Sequence, residues 1–180
     1  MSNSQMTDAS DAPLNNFSHC HEGIVNHLKT MSELPDLVLA AERARKVADD
    51  IRNFFRDVIY NHHDEEERVL FEAVLASANE GEELARVKAI TDQLTREHRK
   101  VESIYAGFES DLKKMAKGQP CQLDTNVIEE LVREYGAHAA FEEAEFLPLS
   151  ETILSRNSNH MAALGLSLHV RHVSLSPSPT

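Results

Sequence analysis

The sequence has no tryptophan, two cysteines and few aromatic residues of any kind. Cys20 and Cys121 are too few for a disulfide framework, so a reducing compartment, the cytoplasm, is expected. Positive charge is also short. There are 18 Lys and Arg against 30 Asp and Glu, a formal net charge of -12 with histidine neutral. That balance excludes duplex nucleic acid and an anionic membrane as main partner, because both need clustered cations. No apolar run nears the roughly 20 residues of a membrane span. The polar start of the chain has no basic residue leading into an apolar stretch, so no secretory signal is expected. Glycine and proline number six each, and few fall inside the periodic stretches. β-branched alternation of the strand type is scarce. No G-x-G-x-x-G, phosphate loop or C-x-x-C motif occurs, which removes the common nucleotide and thiol-redox sites.

What remains is a chain of 180 residues, 41% apolar, rich in Ala, Leu, Glu, Lys and Arg. It suits one domain with one core, and the pattern predicts an all-α fold. Residues 1–15 read as a disordered tail. A first helix is predicted over 16–33, stopped by Pro35. A second runs over 36–78, bent near Asn61, and ends in the turn Asn79-Glu80-Gly81. A third covers 82–117, closed by Gly118 and Pro120. Asp124, Thr125 or Asn126 caps a fourth, which reaches 154 with a kink at Pro148. Residues 156–180 hold a short helix over 158–172 and a disordered end. Such a helix would be expected to pack on the bundle end or against a second copy in a homodimer. Four long helices with short loops over 16–155 imply an antiparallel up-down-up-down four-helix bundle.

The oddity in this composition is ten histidines. In the third helix, Leu84, Val87, Thr91, Leu94, His98, Val101, Tyr105, Phe108, Leu112 and Met115 follow steps of three and four, an inward seam. The first helix has Phe17, His21, Ile24, Leu28 and Met31 in one phase. The second has Ile51, Phe55, Val58, His62, Glu66 and Val69. The fourth has Val127 or Ile128, Leu131, Tyr135, His138, Glu142 and Leu149. Each predicted helix thus carries one seam histidine. Two add a glutamate four residues on, which a helix puts on the same face. One seam histidine alone is ordinary core. Four with two carboxylates and no seam Lys or Arg would cost many kcal/mol without a cation, so a bound metal is expected. Imidazole and carboxylate donors suit Fe, Mn or Zn. Six donors exceed one tetrahedral site and suit two metals bridged by carboxylates. His63 is either a surface residue or a reserve ligand, and its place about 100° off the His62 seam favours the surface. His19 and His27 are out of phase. Glu65, Glu67, Glu143 and Glu145 read as a solvated acidic face, or as carboxylates behind ligand histidines.

The ferritin-like Glu-x-x-His spacing is absent, and the pattern is His-x-x-x-Glu-Glu, twice. His21-Glu22-Gly23-Ile24, HHDEEERVLF at 62–71, Glu97-His98, and HAAFEEAEFLPL at 138–149 together resemble the hemerythrin-like family, whose members share a histidine-histidine-glutamate cation-binding domain. The stretches span about residues 17–150. The resemblance implies an antiparallel four-helix bundle around two non-haem irons, bridged by carboxylates and an oxo or hydroxo group. Carried over by position, His21, His62, His98 and His138 would be terminal ligands, with Glu66 and Glu142 bridging. Oxygen-carrying members have a second histidine on the third helix, where this sequence has Glu102, a candidate seventh ligand. The set of four histidines and two glutamates looks more like di-iron proteins of iron–sulfur repair. Those usually carry an extra cysteine-bearing domain, which this sequence does not show.

With about five ligands per iron, each octahedral ion keeps an open position. The implied function is binding of O2, NO or peroxide, in sensing or in oxidative and nitrosative stress. A peroxidase-like or oxidase-like enzyme and an iron donor are the alternatives, so enzymatic activity stays open at this point. Tyr105 and Tyr135 share the seam phase and are candidates to hydrogen-bond a bridging group.

Overall fold

The computed structural model describes residues 11–156, with side-chain surroundings from residue 20. Every described element is helical, and no strand occurs among the described residues. The helix expected over 158–172 lies outside the described residues. The predicted tail reaches less far than residue 15, because helix α1 (Asp11–Thr30) already starts at Asp11.

The chain divides into two compact units, one ending at Lys46 and one starting at Val47. In the first unit, α1 closes where the hydroxyls of Thr30 and Ser32 donate to the carbonyls of His27 and Lys29, at 2.7 and 2.6 Å. A single 3-10 turn (Met31–Glu33) follows, and α2 (Leu34–Phe54) begins directly. Pro35 sits in the first turn of α2, where its missing N–H costs nothing. It starts a helix here rather than terminating one. The side chains of Ile24, Leu28 and Met31 are each at least half exposed.

In the second unit three helical rods share the core. The first runs from the end of α2 through a π-helical turn (Phe55–Ile59), α3 (Tyr60–Glu65), a second π turn (Glu66–Phe71) and α4 (Glu72–Ser77). The second rod is α5 (Glu82–Ala116). The third is α6 (Thr125–Phe141), a π turn (Glu142–Phe146) and α7 (Leu147–Leu154). Consecutive rods run antiparallel. His63 meets Glu102 while Glu67 meets His98, and Arg156 meets Glu83 while Lys100 meets Glu134. The expected four-helix bundle is therefore seen as three rods in one unit, with α1 in the other.

The local signals for these ends are legible. Gly118, at φ 66, follows α5. Its N–H donates to Met115 O at 2.8 Å and that of Gln119 to Lys114 O at 2.9 Å, a Schellman closure. Asp124 accepts from the Asn126 N–H at 2.9 Å and caps α6. Pro148 lies in the first turn of α7, immediately after the π turn. A proline cannot donate to the carbonyl four residues back, so the helix is interrupted there.

The π turns reset the phase of the core. A π turn holds one more residue than an α turn. On the first rod the buried positions are Phe55, Ile59, His63, Glu66, Phe71 and Val74, not the uniform series through Val58, His62 and Val69. Two apolar clusters result. Phe71, Val74, Val87, Ile90, Leu94, Phe146, Ile153 and Leu154 form one. Ala48, Phe55, Ile59, Val101, Tyr105, Phe108, Leu112 and Leu131 form the other. Phe146 is fully buried and meets Phe71 edge-on at 5.0 Å between ring centres. Phe146→Ala should lower the unfolding free energy by about 3–5 kcal/mol, the usual range for a truncated core aromatic. Urea unfolding of chelator-treated protein checks this, and a loss under about 1 kcal/mol would contradict the packing described.

Candidate metal centre

Between the two apolar clusters the three rods bring polar side chains into the core. His63, His98 and His138 are 1%, 0% and 2% exposed. One comes from each rod. The His63 and His98 rings stack at 3.9 Å with planes 6° apart, and His138 meets His98 edge-on at 4.7 Å. Glu66 and Glu142 are buried beside them. His62 is partly exposed and lies 3.4 Å from Glu66.

Each buried imidazole has a carboxylate behind it. His63 Nδ1 lies 2.9 Å from Glu102 Oε1, His98 Nδ1 2.8 Å from Glu67 Oε1, and His138 Nδ1 3.2 Å from Glu97 Oε2. A carboxylate only accepts, so Nδ1 donates in all three. The Nε2 atoms of the three rings are buried and have no hydrogen-bond partner. One ring nitrogen from each of these histidines lies within 4.8 Å of those of the other two, and a ligand atom from each of His62, Glu66 and Glu142 forms a second such group. His98 Nε2 also faces Glu66 Oε2 at 3.2 Å. A lone pair and a carboxylate oxygen this close need a proton or a cation between them.

The titration behaviour records the same crowding. Burial, together with charge on His98, pushes the His63 imidazole down to about 4 against the pull of Glu102. Burial likewise lowers His138. His98 is raised, because the Glu66 and Glu67 carboxylates outweigh its burial. Burial and the neighbouring Glu66 push the Glu142 carboxyl up to about 8. Glu66 is lowered despite its burial, through His98, Glu142 and His62. Without a cation, then, this pair of carboxylates cannot both ionise freely near neutral pH.

The donor set fits a cation. Unpartnered buried Nε2 atoms, each with its Nδ1–H held by a carboxylate, are the arrangement that metal-binding histidines adopt. Two glutamates alongside supply negative charge for a second ion or a bridge.

Of the residues expected as ligands, the structure brings His62, His98, His138, Glu66 and Glu142 together. His21 lies on α1 in the first unit and is exposed. Glu102 stands behind His63 rather than among the converging atoms, and its two oxygens also accept from Arg99 at 3.2 and 3.1 Å. The reading of His63 as a surface residue is corrected. The first π turn shifts the inward phase by one residue and brings His63 in, leaving His62 at the edge. Glu67, read as part of a solvated face or as a carboxylate behind a ligand, takes the second of these positions, against His98. Glu97, named beside His98 in the motif but given no role there, stands behind His138. Tyr135 lies beside the site, 5.8 Å from the His138 ring, whereas Tyr105 stacks on Phe55 in the apolar cluster.

An all-helical unit with a buried cluster of histidines and glutamates belongs to the class of helical cation-binding proteins. Comparison specifies the family. The hemerythrin HHE cation-binding domain matches residues 12–150, and the chain belongs to that family. It is also 24% identical over 158 residues to an uncharacterized protein of Haemophilus influenzae, covering 84% of this chain and 88% of that one. No solved structure matches it. No described helix is long and apolar enough to cross a membrane.

A cation that binds only the folded site stabilises the fold by mass action. A free divalent cation a hundredfold above its Kd should add about 2.7 kcal/mol. Thermal melts of chelated and reloaded protein measure this. Reloading should raise the melting temperature, and His63→Ala should reduce the rise. Equal melting temperatures with and without cation would contradict the site.

Proposed function

We propose that this protein holds two non-haem iron ions and binds a small ligand there, O2, NO or peroxide, in sensing or in the response to oxidative or nitrosative stress. The observation that carries the reading is the convergence of three unpartnered, buried imidazole nitrogens on a pair of buried glutamates. His63, His98 and His138 are the imidazole donors on one side. His62 with Glu66 and Glu142 would serve the other, and the two glutamates would supply the bridging carboxylates. His21 is proposed as a further ligand from its place in the order of motifs. Imidazole with carboxylate favours iron over the soft metals that thiolates select.

Bound iron supplies an open coordination position and a redox couple. The chain's own residues do the rest. Glu67, Glu97 and Glu102 hold the three rings in one tautomer and one orientation. Leu94 and Val101, one turn to either side of His98 and both buried, keep water from that imidazole. Tyr135 presents a half-buried phenol beside His63 and His138, with its pKa raised by burial, so it stays a neutral donor.

Iron analysis with an optical spectrum of air-exposed protein tests the proposal. About two irons per chain are expected after anaerobic reconstitution, with a new absorption band in air that azide or NO alters. Fewer than one iron per chain and an unchanged spectrum would sink it. His21→Ala should lower the bound iron or change the band, and a variant indistinguishable from wild type removes His21 from the ligand set. Steady peroxide consumption lost in His138→Ala would turn the reading toward an enzyme.

A further inference from the structure

The geometry points to Arg99 as a positioning residue that couples two metal-binding histidines through their carboxylates and so sets the cation affinity of the site. This inference rests on the metal-binding reading above. Arg99 is on α5, next to His98, but its guanidinium lies outside the core and is about half exposed. One of its terminal nitrogens donates to Glu67 Oε2 at 2.5 Å, and the other to both oxygens of Glu102 at 3.1 and 3.2 Å. The remaining oxygen of Glu67 holds His98 Nδ1, and Glu102 Oε1 holds His63 Nδ1. The two rings so held are the stacked pair, parallel at 3.9 Å. One planar fork therefore ties two carboxylates, and through them two neighbouring imidazoles, into a single rigid unit.

The third histidine provides an internal contrast. Glu97, behind His138, accepts from the neutral amide of Gln93 at 2.8 Å, and among the described residues no Arg or Lys pairs with it. So the cationic clamp acts on His63 and His98 and not on His138. Its function follows from electrostatics and entropy. Glu67 and Glu102 are two anions facing adjacent, parallel rings. Without a cation between them they repel, and each gains freedom to turn away from its ring. A guanidinium presents its donors in a fixed planar fork, so it spans both carboxylates at once. A lysine ammonium is a point charge on a flexible stem and cannot hold the same geometry. Residues behind metal-binding histidines typically change affinity by 10- to 100-fold when removed.

Co2+ binding in competition with a chromophoric chelator is the test, because its visible bands report the ligand field. Arg99→Ala should weaken Co2+ binding about tenfold or more, with an altered band position. The melting temperature of the chelated protein should move little, since exposed ion pairs contribute little to stability. Arg99→Lys should recover only part of the affinity. Arg86→Ala, which removes an exposed arginine paired with Glu145, should match wild type. In the chelated protein, nitrogen-15 NMR should show His63 with its proton on Nδ1, and Arg99→Ala should redistribute it. Arg99→Ala with wild-type affinity, band and tautomer overturns the inference and leaves the metal-binding reading standing. A wild-type protein that takes up neither Co2+ nor iron overturns both.

Discussion

The second unit is organised around one constraint: imidazole lone pairs and two carboxylates placed in a dry core must be given a cation or a proton. An uncompensated buried charge costs several kcal/mol, against about 1 kcal/mol or less from any exposed ion pair. Few other interactions in the molecule have that magnitude. The protons that the metal-free state can supply are a poor solution. They must be divided between Glu142, held neutral up to about 8, and His98, whose pKa is raised, while His63 is pushed down to about 4. These groups disagree about where charge belongs. A metal ion resolves the disagreement by leaving every imidazole neutral and both carboxylates ionised.

The surroundings are arranged to sustain that demand. The Phe71–Phe146 cluster lies on one side of the histidines and the Phe55–Tyr105 cluster on the other. Along α5 this is a single pattern: Leu94 belongs to the first cluster, His98 to the site, Val101 and Tyr105 to the second. Polarity then rises outward in steps. Buried imidazoles are followed by half-buried Glu67, Glu97 and Glu102, and these by exposed Arg99 and part-exposed Gln93. Each step satisfies the one inside it. No buried Nδ1–H is left without an acceptor, and each carboxylate behind a ring has a donor in turn.

Much of this was legible from the residues. The buried face of α5 follows the seam read from Val87 to Leu112, because that helix keeps one period throughout. The turn at Gly118 and the cap at Asp124 follow local stereochemistry that one or two residues settle. The identity of the inward histidine on the first rod was not legible. His62 and His63 are adjacent, and a uniform period of 3.6 selects His62. The π turn at Phe55–Ile59 adds a residue and selects His63 instead. No residue type marks a π turn, so nothing local separates the two histidines; Phe55, within the turn, stacks on Tyr105. The first helix failed differently. Its apolar spacing is real, yet Ile24, Leu28 and Met31 are exposed, and Pro35, expected to end that helix, lies in the first turn of the next, where proline is equally at home.

The shift from His62 to His63 also changes what kind of centre the donors describe. With His62 inward, the histidines divide evenly and the two cation positions are equivalent. With His63 inward, three buried imidazoles gather on one side, and His62 with two carboxylates forms the other group. The first group consists of imidazoles alone and is almost fully enclosed, with exposures of 0–2%. The second carries the negative charge, and His62 at its edge is 34% exposed. Charge and solvent access thus fall on the same side. A cation held by the three imidazoles would have little contact with water, whereas His62 leaves the other group open at its edge.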